Sequence, residues 1–183
     1  SGTGLLYVFY DANQRVYPDT AVLPTDIQLL PVLLEENLRN TRRIHEACRP
    51  HYSGRGTHAV GPEGVSVDWV EAAEPELALR LDELVRRCTQ EHGIRPDDLG
   101  VIVSSRYMVQ RLIPGGRLGG HATTLCGVLV PGAITVDSAR RFKGLERSAI
   151  ILVADDALAR DRELTYVGLS RARAYLIVVG SMK

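Results

Sequence analysis

No part of this 183-residue chain ends in Gly-Lys-Ser or Gly-Lys-Thr, the pair of endings that closes a phosphate-cradling loop with an ammonium group. A self-sufficient triphosphate site is therefore excluded. The glycine-dense stretch Pro114-Gly-Gly-Arg-Leu-Gly-Gly120 lacks that ending and reads as a plain flexible loop. Net charge is absent as well: 22 basic residues balance 22 acidic ones, so no global field gathers nucleic acid. A nucleic-acid site would have to be local or completed by another domain. Cysteine is scarce, and Cys48, Cys88 and Cys126 are too far apart for a metal knuckle or a disulfide framework. They read as buried thiols of a reducing compartment. No apolar run reaches membrane length and no secretory leader is read, so a cytoplasmic protein with no membrane partner is expected.

Apolar residues make up 45% of the chain, enough for the core of one domain. Short β-branched runs recur between helical patterns. Strands are expected at Leu5–Tyr10, Val32–Leu34, Val65–Val70, Gly100–Ser104, Ala133–Asp137, Ala149–Ala154 and Tyr175–Val179, the last four buried on both faces. Leu77, Leu81, Leu84, Val85 and Cys88 form one face of a helix over Glu76–Gln90, with Pro75 in its first turn and Gly93 as its cap. Further helices are expected from Asn40-Thr41 to before Pro50, after Ser104-Ser105, and over Glu163–Arg173. The loop His51–Gly64 is expected to be mobile. This alternation predicts an α/β domain: a mostly parallel sheet with helices on both faces.

Polar residues cluster where strands give way to helices. Arg140, Arg141, Lys143, Gly144 and Glu146 follow a buried strand, and ligands of such sheets bind beyond the carboxyl ends of strands. Gly144 allows close backbone approach, Glu146 suits ribose hydroxyls, and the basic groups suit phosphates. An idle, solvated turn is the competing reading. Arg171 lies at i+7 from Leu164 and so shares the apolar face of the last helix, where it needs a partner or a polar cleft. A structural ion pair and an arginine finger are the two choices, and Arg173 faces elsewhere. Arg39 precedes a helix start and can reach an anion. Gln14 and Tyr17 follow the first strand, where Tyr17 can stack on a base or pack as an ordinary half-buried tyrosine.

Asp11–Tyr17, Asn37–Arg39, Thr135–Glu146 and Leu164–Arg173 occur in the order of motifs III, IV, V and VI of the UvrD/Rep-like superfamily 1 helicases, which the chain resembles from residue 5 to 180. Tyr10, Leu38, Asp137 and Ser170 depart from the family's usual residues. The resemblance implies a motif III connector at residues 1–20 and a second RecA-like motor domain, 2A, at 21–183. It further implies that Gln14, Arg39 and Arg171 serve the γ-phosphate, and that Glu146, with Lys143 and Gly144, serves the rest of the nucleotide. Tyr17, Thr135 and Asp137 would meet single-stranded DNA. ATP and magnesium would be bound mainly by an N-terminal RecA-like motor domain of the same parent protein. The chain alone is then expected to be inactive. A non-catalytic RecA-like module serving regulation or protein interaction, or an RNA-directed relative, are the alternatives.

Overall fold

The computed structural model describes residues 30, 32, 34–53 and 56–181. The strand expected at Leu5–Tyr10, the connector at 1–20, and Gln14 and Tyr17 lie outside the described residues. Seven strands form one sheet in the order β3 (Asp68–Glu71), β9 (Ala172–Gly180), β8 (Arg147–Ala154), β4 (Leu99–Val103), β7 (Ile134–Ser138), β6 (His121–Thr124) and β5 (Arg117–Leu118). All neighbours run parallel except β5 and β6. A separate parallel pair joins β1 (Glu36–Asn37) to β2 (His58–Ala59).

Strict alternation along the central strands makes two cores. Ala149, Ile151 and Val153 of β8 face α2 (Leu77–Arg86) and α3 (Arg106–Leu112). Ile150 and Leu152 face α1 (Arg42–Cys48), α4 (Asp156–Arg160) and α5 (Arg162–Leu169). A strand buried on both sides reads as a continuous apolar run, which is why these strands were legible. The sheet is mostly parallel with helices on both faces, as the pattern predicts.

Several elements differ from the expectation. The helix expected to begin at Glu76 starts at Leu77 after a 3-10 turn, and its last turn, Arg87–Glu91, widens into a π-helix. The glycine-dense stretch is an ordered hairpin: Gly119 and Gly120, both at positive φ, turn β5 into β6, and the Gly119 amide donates to Asp82 Oδ1 at 2.6 Å. Val32 and Leu34 carry no strand, and β3 begins three residues later than the expected Val65. Within residues 51–64 lies β2, and the carbonyls of Pro62 and Glu63 accept from the Arg42 and Arg43 amides at 2.9 and 3.2 Å. Those carbonyls cap α1, and Thr41, at the N-cap position, makes no side-chain cap bond.

The last helix also stops early. Leu169 ends α5, Ser170 caps it, and Arg171 links it to β9. Arg147 at the start of β8 pairs with Ala172, and its amide donates to the Arg171 carbonyl at 3.1 Å. Strand pairing thus draws Arg171 out of the helix before another turn can form.

Candidate nucleotide-facing site

Residues 139–146 join β7 to β8, two parallel strands separated by β4. The segment must therefore cross the sheet and return to its amino edge. It does so over Gly100 of β4, where an added Cβ would lie 2.9 Å from Phe142 and 2.7 Å from Ile150. Phe142 is fully buried there. Arg140, at the start of the crossing, lies 3.7 Å from Asp161, the N-cap of α5. Glu146, at its end, sits beside the first residue of β8. The carboxyl-edge placement expected for Glu146 is thus corrected: the crossing delivers it to the amino edge, beside the start of β9.

Three residues singled out in the sequence meet at that edge. Arg39 Nε lies 2.7 Å from Glu146 Oε1, with both side chains half-exposed. Arg171 lies behind them and is only 2% exposed. Its Nε donates to the Val167 carbonyl at 2.9 Å and its guanidinium to Ser170 Oγ at 2.8 Å. Burial lowers its proton affinity, Arg39 lowers it further, and Glu146 works in the opposite sense. The three charges are therefore close enough to act on one another. Together they form a net-positive group that one carboxylate partly neutralises.

Lys143 and Gly144 are exposed on the crossing, just ahead of Glu146. Gly144 has a φ of +85° and makes the tight bend, with open space where a Cβ would be. Thr135 and Asp137 do not join this group. Thr135 Oγ1 accepts from Arg147 at 2.9 Å, and Asp137 is completely buried. The Asp137 carboxylate accepts from the amides of Cys126 and Ser138 and from Arg141 Nε, at 3.2, 2.8 and 2.9 Å. Both side chains expected to meet nucleic acid are thus bonded inside the domain.

Sequence reading missed the roles of Asn40 and Arg147. Asn40 looked like a helix cap, yet its side-chain amide donates to the carbonyls of Ser170 and Ala172 at 3.1 and 2.6 Å. Arg147 donates to the Glu146 carbonyl at 2.8 Å as well as to Thr135, holding the end of the crossing in place. No local pattern signals the ties of Asn40 to Ser170 and Ala172 or of Arg147 to Thr135, since these partners are distant in sequence. Cys48 lies near Arg39 and Arg171, which pull its thiol down, but burial dominates and pushes it up to about 12.

The domain is a mostly parallel α/β sandwich with a basic group, closed by one acid, on its amino edge. Residues 133–179 match the family model of the UvrD-like helicase C-terminal domain, a span running from β7 through the crossing and α5 into β9. The fold is similar to the C-terminal domain of a possible DNA helicase from Lactobacillus plantarum WCFS1, with a TM-score of 0.61 and 21% identity over 79% of this chain and 87% of that chain. No curated protein matches the sequence. The resemblance to a UvrD-like helicase C-terminal domain is thereby shown. Glu146 and Arg171 fall within the matched segment, and Arg39 lies outside it.

Proposed function

We propose that this chain is the second motor domain of an ATP-dependent DNA helicase or translocase. The observation that carries the reading is the meeting of segments distant in sequence at one edge of the sheet: Arg39 pairs with Glu146, the next residue Asn40 bonds both chain neighbours of Arg171, and Arg147 bonds the Arg171 carbonyl. Arg39, Glu146 and Arg171 are the residues that their motifs would devote to nucleotide.

The donor set suits an anion. Arg39 is half-exposed and paired with Glu146, and a half-exposed pair of this kind is worth about 0–1 kcal/mol. Exchanging that carboxylate for a phosphate is therefore cheap. Glu146, once released, is an acceptor for hydroxyl groups. Arg171 adds a second positive charge from within the domain. Two guanidinium groups converging on a phosphoryl group stabilise the charge that develops as it transfers. No Gly-Lys-Ser or Gly-Lys-Thr exists in the chain. Magnesium and the phosphate-cradling loop then belong to a partner motor domain, and closure of the two domains would complete the site.

One observation favours the alternative, a non-catalytic RecA-like module: Arg171 is buried and already bonded to Val167 and Ser170. Turnover separates the two readings. The chain alone should not hydrolyse ATP, and joined to its P-loop motor domain it should show hydrolysis stimulated by single-stranded DNA. Hydrolysis by the chain alone contradicts the half-site. A joined protein that binds DNA without any turnover supports the non-catalytic module.

A further inference from the structure

One buried amide ties the turn carrying Arg39 to the segment carrying Arg171. Asn40 is 3% exposed, and its Nδ2 reaches the carbonyls of Ser170 and Ala172, the two neighbours of Arg171 in the chain. The turn itself is fixed by Asn37. Its Oδ1 accepts from the amides of Arg39 and Asn40 at 3.0 and 3.4 Å, and its Nδ2 donates to Asn40 Oδ1 at 3.0 Å. Asn37 Nδ2 also lies 3.1 Å from His45 Nδ1, and His45 Nε2 lies 3.0 Å from the Thr57 carbonyl. An amide donor on one ring nitrogen and a carbonyl on the other call for the neutral tautomer with its proton on Nε2.

Among the described residues, a backbone tie between this turn and β9 runs from the Thr41 amide to the Arg173 carbonyl, at 3.3 Å. Arg39 and Arg171 carry like charges that Glu146 offsets in part, so their spacing depends on the bonds that hold the turn. Capping does not explain Asn40, because the first amides of α1 go to Pro62 and Glu63.

We infer that Asn40 is a positioning residue that sets the spacing of Arg39 and Arg171, so that both guanidinium groups meet one phosphate. The inference rests on the motor-domain reading above. Losing an orientation of about 1 Å costs on the order of 10²-fold in rate.

The test uses the polypeptide that joins this chain to its P-loop motor domain. Asn40→Ala should lower kcat for ATP roughly 10²-fold and change KM by less than about twofold. In an Arg39→Ala background the same substitution should cost almost nothing more, since the spacing it protects no longer matters. Unchanged turnover per folded molecule with only a lower Tm overturns the inference, and so does a loss that multiplies in full onto Arg39→Ala. Should Asn40→Ala fail to fold, Asn37→Ala loosens the same turn from its half-buried side and should show the same non-additive loss, and unaltered kcat there also overturns it. If Arg39→Ala and Arg171→Ala both leave turnover intact, the motor reading itself fails, a result distinct from either outcome for Asn40.

Discussion

Asp137 separates a structural role from a nucleic-acid role in a single substitution. Its carboxylate is fully buried and accepts from two backbone amides and from Arg141. Asp137→Ala leaves the Cys126 and Ser138 amides without that acceptor. Each buried donor left unmet costs about 1–3 kcal/mol. Arg141 is half-exposed and can return to water, so the full penalty for breaking a buried pair does not apply. A loss of about 3 kcal/mol is expected, which lowers Tm by roughly 6–12 °C in a domain of this size. Thermal unfolding and single-strand affinity should be measured on the same preparation. The structural account expects a lower Tm and unchanged affinity per folded molecule. An unchanged Tm with weakened DNA binding would refute it and restore the contact that the motif implies.

Three further outcomes follow from the geometry. Gly100→Ala should push Phe142 off β4, because the new Cβ would meet Phe142 at 2.9 Å, and overpacking of this kind costs about 1–3 kcal/mol, read as a shifted urea midpoint. Glu146→Ala in the two-domain protein should raise KM for ATP more than it lowers kcat, since a ribose contact serves ground and transition states alike, and steady-state kinetics would show the split. Cys48, Cys88 and Cys126 are pushed from 9.0 up to about 12, 11 and 12, by burial first of all. Raised values mean that the folded state keeps its thiol protons longer than the unfolded state. These groups therefore leave stability unaffected below pH 9 and erode it as pH rises from 9 toward 12. In the native protein at pH 8 a thiol-specific reagent should label none of them, and labelling should follow unfolding.

Local pattern carried the reading furthest where the physics is local. The face of α2 through Leu77, Leu81, Leu84 and Val85 follows from the helical period alone. The buried strands β4, β8 and β9 follow from the apolar runs they contain, and β7 from its short β-branched segment. The amino-edge position of Glu146 was illegible, because it depends on β4 lying between β7 and β8 and on Phe142 crossing over Gly100. The early end of α5 was hidden for a similar reason: residues 163–173 hold a helical period, and only pairing between Arg147 and Ala172 ends it. Arg171 is nevertheless buried as its apolar neighbours implied, by folding back onto Val167. The hairpin at Gly119-Gly120 was missed because β5 and β6 are too short to alternate visibly.

The central claim is that Arg171 acts on a phosphate and does not merely brace the end of α5. The direct measurement is ATP turnover of the two-domain protein with Arg171→Ala, set beside Arg173→Ala, with Tm recorded for both. Arg173 has an exposed side chain on β9 and serves as the control. The account predicts a fall in kcat of roughly 10³-fold or more for Arg171→Ala and little change for Arg173→Ala. Turnover that survives Arg171→Ala, with only a lower Tm, would contradict it.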